Sequence, residues 1–133
     1  MSALSITADL EHLPRIRKYV LGRAREAGLS PTLEPKLDLV LEEVFINVAN
    51  HAYRGGVGTA EIDCAVQTSA FCVTVRDWGP QFNPLDSEPP DVSADIDSRP
   101  IGGLGLLLVT TMTDKCTYAR TDDTNELTFC FFL

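Results

Sequence analysis

The chain has 133 residues, 44% of them hydrophobic and 23% charged, which is long enough to bury a core and is an ordinary globular composition. Its formal net charge of −8 argues against nucleic-acid binding, because proteins that bind phosphate backbones concentrate Lys and Arg. No apolar run reaches the roughly 18–20 residues that span a bilayer, and the N-terminal residues show no secretion signal. We therefore expect a cytoplasmic protein that contacts neither nucleic acid nor membrane, with residues 1–133 forming one domain.

The first half of the chain predicts one strand and two helices. Residues 3–8 alternate in polarity as a short strand does. Over residues 10–27, apolar side chains recur at helical spacing, and Gly28 then supplies a C-terminal stop. A second helix begins after a proline-rich approach and runs to about Tyr53.

The second half predicts a hairpin, a long loop, a helix and two closing strands. Residues 58–67 and 70–77 have the alternation and β-branched content of paired strands. The loop at about 80–101 is rich in proline and aspartate, and a loop of this length is usually functional or disordered. A glycine turn then opens a helix, and residues 115–120 and 126–132 form the last two predicted strands. Because strands and helices do not alternate, this order favours an α+β, two-layer sandwich with helices on one face of a mostly antiparallel sheet.

The four cysteines are scattered along the chain without a C-x-x-C pair, at positions Cys64, Cys72, Cys116 and Cys130. This spacing does not suit zinc, whose structural sites use closely spaced ligand pairs. We expect small buried side chains within strands.

A polar edge runs along the second predicted helix, LDLVLEEVFINVANHAY. At 100° per residue, Glu43, Asn47, Asn50 and Arg54 fall within about 60° of one another. The opposite side is apolar and carries Leu41, Val44, Phe45, Val48 and Ala52. The edge alone fits either a polar stripe that faces solvent or the floor of a cleft. In a cleft, a carboxylate and an amide oxygen one helical turn apart could serve as a general base and a metal ligand.

Two glycine-containing turns are further candidates. Asp77 and Gly79 come at the end of a predicted strand, where this pattern is typical of a turn. Such an aspartate can also accept a hydrogen bond from an exocyclic amine, while the glycine leaves room for a flat ring. Residues 102–106, GGLGL, open a helix, where unpaired backbone N–H groups favour an anion. The loop at 80–101 could close over a bound ligand as a lid.

Together these motifs resemble the ATP-binding (Bergerat) fold of the GHKL superfamily, which includes histidine kinases and gyrase-type ATPases. The resemblance is strongest to the anti-sigma-factor serine/threonine kinases. In that branch the helix typically has the pattern E-x-x-x-N-x-x-x-H-[AG]-Y, which residues 43–53 match. The D-x-G-x-x-F-x-P pattern at 77–84 and GGLGL at 102–106 match as well, so that the resemblance runs from about residue 5 to the C-terminus.

The resemblance implies ATP and Mg²⁺ as cofactors and assigns a role to each motif. Asn47 would coordinate the Mg²⁺ that bridges the ATP phosphates, Asp77 would accept a hydrogen bond from the adenine amine, and Gly79 would leave room for the ring. Glu43 would be the general base that deprotonates a serine or threonine hydroxyl as it attacks the γ-phosphate. The other nucleotide-binding residues expected are Asn50, Gly103, Leu104 and Gly105. Arg99, the only cation of the predicted lid, is the candidate for a positive charge that holds the γ-phosphate, with Arg54 as the next candidate.

The resemblance also implies partners. A STAS-domain anti-sigma-factor antagonist would be phosphorylated, and a sigma factor or another regulated protein would be sequestered. A homodimer is an assembly that the resemblance allows.

Two departures from the family pattern keep other functions open. Ile46 stands where many relatives have Thr or Ser before the metal-binding Asn47, and Gln81 replaces the second glycine of a D-x-G-x-G pattern. One alternative is an ATP-binding regulatory module that sequesters a partner without kinase activity, although such a module has no need of a base at Glu43. A detached histidine-kinase catalytic domain is disfavoured, because that branch generally has Asn at the position of Glu43.

Overall fold

The computed structural model describes residues 3–52, 58–81 and 109–133. These residues form two long helices, several short helical turns and a five-stranded sheet in the order β1-β2-β3-β5-β4, in which every neighbouring pair is antiparallel. The elements are β1 (Leu4–Thr7), α1 (Leu13–Ala27), α2 (Glu34–Asn47), β2 (Thr59–Gln67), β3 (Ala70–Asp77), β4 (Lys115–Thr121) and β5 (Thr124–Phe132). The predicted α+β sandwich is confirmed.

Helix α1 presents one apolar face to the sheet and ends where the sequence predicts. Its fully or largely buried residues recur at helical spacing and are Leu13, Ile16, Val20 and Ala24. Gly28 adopts the left-handed conformation, with φ 86°, and its N–H donates to the carbonyls of Ala24 and Arg25. A side chain at this position would be strained by the backbone angle, which explains why glycine ends the helix.

Helix α2 is attached to α1 by charge as well as by apolar contact. The Arg17 guanidinium donates to the Asp38 carboxylate at 2.7 Å and lies 3.3 Å from that of Glu42. The helix then passes into a π-helical turn at Val48–Ala52. Turns of this kind, with i→i+5 hydrogen bonds, occur mostly as insertions within α-helices and are frequent at functional sites.

The two faces of the sheet differ sharply in polarity. On the helix-facing side, Val73 of β3 lies opposite Phe129 of β5, and both are fully buried. On the other face, Arg76 pairs with Glu61 of β2 at 3.0 Å and with Glu126 of β5 at 3.2 Å. The core therefore lies between the sheet and the two helices.

All four cysteines lie in strands, as predicted, but two of them are not simple apolar residues. Cys72 and Cys130 form a disulfide between β3 and β5, with their Cα atoms 4.1 Å apart. The sequence analysis missed this bond because the two residues are 58 positions apart and only the strand register places them opposite each other. Cys64 and Cys116 are free thiols, and burial raises their pKa to about 12 and about 11.

None of the described helices is long and apolar enough to cross a membrane.

Replacing Phe129 with alanine should lower the free energy of unfolding by about 3–5 kcal/mol, because it leaves a cavity in the centre of the core. Phe132 is a matched control in the same strand, since its ring is 61% exposed, and Phe132→Ala should change stability by less than about 1 kcal/mol. Urea unfolding followed by circular dichroism measures both. Similar losses in the two variants would contradict the assignment of the buried face.

Alkylation of the unreduced protein in denaturant should modify Cys64 and Cys116 alone, and prior reduction should add Cys72 and Cys130. In the folded protein at pH 8, Cys64 should react slowly, because its pKa of about 12 leaves little thiolate. Its rate should rise about tenfold per pH unit until the pH approaches that pKa. Peptide mass spectrometry measures the modified positions, and four modified cysteines before reduction would contradict the disulfide.

Candidate functional site

The turn after β3 holds Asp77 in a fixed orientation. Asp77 is the last residue of the strand, and only 7% of its surface is exposed. Its Oδ1 accepts hydrogen bonds from the Gly79 N–H at 3.0 Å and from the Asn125 side-chain amide at 2.9 Å. No donor among the described residues reaches Oδ2, and that oxygen is therefore able to accept a hydrogen bond from a ligand.

Asn125 is a site residue that the sequence analysis missed. It lies directly opposite Asp77 in the β3–β5 register and is 6% exposed. Its side-chain amide also donates to the Pro80 carbonyl at 2.9 Å, and its Oδ1 accepts from the Tyr118 hydroxyl at 2.6 Å. In sequence it follows Asp-Asp-Thr and resembles a turn residue. The alternation of β5 could have indicated it, because Asn125 lies two residues before the buried Leu127 and therefore on the same face of the strand.

A cation also contacts this turn. Arg120 of β4 is the register partner of Asn125, and its Nη1 donates to the Gly79 carbonyl at 2.9 Å. Its Nε donates to the Asp122 carbonyl at 3.2 Å. Three neighbouring strands therefore place polar side chains at the same end of the sheet, namely Arg120, Asn125 and Asp77.

Asn47 combines burial with an unsatisfied acceptor. It is the last residue of α2 and is 8% exposed, and no described residue donates a hydrogen bond to its buried Oδ1. Such an atom costs about 1–3 kcal/mol unless something binds it. An amide oxygen is a suitable ligand for Mg²⁺, which prefers oxygen donors, so the residue fits the metal that the sequence analysis expects.

The two adjacent glutamates of α2 have different surroundings. Glu42 is paired with Arg17 and connects the helices. Glu43 is half-buried and forms no ion pair with any residue in the described part of the chain. It lies one helical turn before Asn47, so that a carboxylate and an orphaned amide oxygen share one edge of the helix.

Asn50 lies beyond the α-helical part of that edge. It lies in the π-helical turn and is exposed. Because i→i+5 hydrogen bonding gives more residues per turn than an α-helix, the 100° spacing used to place Asn50 beside Asn47 ends at the start of that turn.

The remaining predicted site residues lie outside the described ranges, and these are Arg99, Gly103, Leu104 and Gly105, together with Arg54 and most of the predicted lid. The chain is helical again at residues 109–112, consistent with the predicted helix after the glycine motif. Val109 is 1% exposed and belongs to the main core.

The helix edge and the strand turn adjoin the same hydrophobic cluster. Val48, directly after Asn47, belongs to this cluster, as do Val75 of β3 and Leu127 of β5. The polar residues at the end of α2 and at the end of β3 therefore border one core.

Comparison with known protein families shows which family this chain belongs to. The family described as histidine kinase-like ATPase domain matches residues 6–131. The chain belongs to this family. The membership predicted from the E-x-x-x-N, D-x-G and GGLGL motifs is thus confirmed.

Relatives of this ATPase-family chain include proteins named as kinases. The serine-protein kinase RsbW of Bacillus cereus (strain AH187) is 30% identical over 115 residues, which cover 84% of this chain and 72% of that protein. The serine-protein kinase RsbW of Bacillus mycoides (strain KBAB4) is 29% identical over the same shares. The histidine kinase AdeS of Acinetobacter baumannii has a similar fold, with a TM-score of 0.54 at 12% identity, over 99% of this chain and 68% of that one.

Leucine substitutions at the buried residues Asn47 and Asn125 should have different effects on the free energy of unfolding. Asn47→Leu removes an acceptor without a partner, so the free energy of unfolding should stay within about 0.5 kcal/mol of its original value or rise. Asn125→Leu removes the hydrogen bonds that Asn125 makes with Asp77 and Tyr118 and should cost about 1–3 kcal/mol. Urea unfolding without nucleotide measures both. An equal loss in Asn47→Leu would show that this amide has a structural role instead.

Proposed function

We propose that the chain is an ATP-dependent serine/threonine protein kinase. In this proposal it phosphorylates a STAS-domain anti-sigma-factor antagonist and sequesters a sigma factor or another regulated protein in the cytoplasm. Residues 1–133 act as one ATPase domain. The observation that supports it best is the buried Oδ1 of Asn47, which has no hydrogen-bond partner among the described residues, one turn after Glu43, which has no ion pair among them.

The adenine would bind at the turn after β3. Asp77 Oδ2 accepts the hydrogen bond from the 6-amino group, since Oδ1 is already engaged by Gly79 and Asn125. Gly79 has no side chain between the ring and the backbone. An oriented carboxylate oxygen distinguishes adenine from a purine with a 6-oxo group, because in the second case two acceptors would face each other.

The phosphates would bind beyond the end of α2. Asn47 would hold Mg²⁺ through its side-chain oxygen, and the ion would supply neutralisation of phosphate charge. The rest of the phosphate site consists of Asn50, Arg99, Gly103, Leu104 and Gly105.

Glu43 would act as the general base. Its carboxylate takes the proton of a serine or threonine hydroxyl while the hydroxyl oxygen bonds to the γ-phosphorus and the bond to the β-phosphate oxygen breaks, releasing ADP. General base catalysis of this kind contributes roughly 10²–10⁴-fold. Glu42 is unsuited to the role because it is paired with Arg17.

The proposed partner proteins are inferred from the family relationship. The two RsbW relatives are named serine-protein kinases, and a protein serine is the acceptor that such a name describes. A second candidate function is an ATP-dependent module that holds a partner without phosphorylating it. The half-buried Ile46 favours it, because an apolar side chain precedes Asn47 where a hydroxyl could contact the nucleotide.

Glu43→Gln should leave ATP affinity within about twofold and reduce phosphoryl transfer by roughly 10²–10⁴-fold. Glu42→Gln is the matched control and should retain transfer, because it changes only the contact with Arg17. The assay incubates the protein with [γ-³²P]ATP, Mg²⁺ and STAS-domain proteins of the same genome and measures labelled protein. Undiminished labelling by Glu43→Gln would exclude this base, and ATP binding by the original protein without any labelling would favour the second function.

Asp77→Asn should change the base preference as well as weaken ATP binding. Because two N–H donors hold the Oδ1 position, the new amide should place its oxygen there and its NH₂ toward the purine. ATP affinity should fall roughly 10- to 100-fold, whereas inosine triphosphate, which has a 6-oxo group, should bind better than before. Calorimetric titration with both nucleotides tests this, and an equal loss for both would contradict the assigned contact.

A further inference from the structure

Two residues of β4, Tyr118 and Arg120, hold the turn that carries Asp77, although neither belongs to the nucleotide contacts described above. We infer that both are positioning residues that direct Asp77 Oδ2 toward the 6-amino group of a purine. This inference rests on the proposed function and assigns to it residues outside the three sequence motifs.

Tyr118 determines which way the Asn125 amide faces. Asn125 must present its NH₂ group to Asp77, because its oxygen would be repelled by the carboxylate and by the Pro80 carbonyl. The Tyr118 hydroxyl donates to Asn125 Oδ1 at 2.6 Å and so stabilises this orientation from the opposite side. A hydrogen-bonded chain therefore runs from Tyr118 through Asn125 to Asp77.

The Tyr118 hydroxyl is itself held in place. Tyr118 pairs with Leu127 in the register, which makes Asn125 its diagonal neighbour on β5, within reach of a long side chain. The residue is partly buried and packs against the main hydrophobic cluster. Its ring is thus positioned before any ligand binds, and the hydroxyl has a defined direction.

Arg120 acts on the other half of the turn. Its Nη1 donates to the Gly79 carbonyl at 2.9 Å, while the Gly79 N–H donates to Asp77. Both backbone groups of Gly79 are therefore engaged by charged side chains, and such hydrogen bonds are stronger than neutral ones. The Arg120 Nε also donates to the Asp122 carbonyl, so the guanidinium connects the hairpin between β4 and β5 to the turn.

The consequence is a rigid acceptor. Asp77 Oδ1 is held by Gly79 and Asn125, Gly79 is held by Arg120, and Asn125 is held by Tyr118. The carboxylate therefore has one orientation, in which Oδ2 is the oxygen that can accept a hydrogen bond from a ligand. Loss of either outer contact should loosen Asp77 and reduce its selectivity for a 6-amino group, without removing any atom that touches the nucleotide.

The test compares ATP with inosine triphosphate in Tyr118→Phe and Arg120→Met. Trp78, the sole tryptophan of the chain, lies between Asp77 and Gly79 and is 46% exposed, so its fluorescence reports binding at the turn. In each variant the Kd for ATP should rise roughly 3- to 10-fold, while the Kd for inosine triphosphate should change less than twofold. The ratio of the two Kd values should therefore fall by nearly the same factor.

Matched controls separate positioning from general destabilisation. Tyr19→Phe and Arg25→Met remove the same groups from α1, where Arg25 pairs with Glu34, and they should leave both Kd values unchanged. Arg120→Lys should retain part of the selectivity, because it keeps the charge but not the two-point contact. In nucleotide-free Arg120→Met, the Trp78 emission maximum should shift, whereas in Arg25→Met it should not.

The outcomes also separate this inference from the proposed function. If the original protein prefers ATP and the two β4 variants keep the same ratio, the positioning role is wrong and the proposed function stands. If ATP and inosine triphosphate weaken equally in a variant, the residue supports the fold only, which also overturns the inference. If the original protein binds no ATP with Mg²⁺ at millimolar concentration, the proposed function fails and the inference fails with it.

Discussion

The antiparallel pairing of β3 with β5 is the interaction on which the rest of the structure depends. One register places the Cys72–Cys130 disulfide near one end of the pair, the buried Val73 and Phe129 in the middle, and Asp77 near the other end. A shift of one residue would turn Phe129 out of the core and Asp77 away from its partner. Core packing and site geometry are therefore determined by the same pairing.

Buried polar groups are treated differently at the two parts of the site. Asp77 Oδ1 and the Asn125 amide are engaged within the protein, and their hydrogen bonds define the direction of the turn. Asn47 has an oxygen that no described residue satisfies. Because a buried polar atom without a partner is costly, the contrast separates a group that the protein orients from a group that is available to a ligand.

The elements were predictable because each follows from a local pattern. Apolar spacing predicts α1, Gly28 predicts its end, and alternation predicts the strands, within the usual uncertainty of a few residues at each boundary. The π-helical turn that contains Asn50 was not predictable in this way. Such a turn has no simple composition signature, since it differs from an α-helix in its i→i+5 hydrogen bonds.

The sequence alone determined the family, the α+β sandwich and the motif residues Glu43, Asn47 and Asp77, because these depend on residue type and short spacing. Only the tertiary structure decided that Glu42 pairs with Arg17, whereas Glu43 has no ion pair within the described residues. It also decided that Tyr118, Arg120 and Asn125 converge on the Asp77 turn. Those contacts join residues far apart in the chain. Strand register and helix docking bring them together, and neither is encoded in any short stretch of sequence.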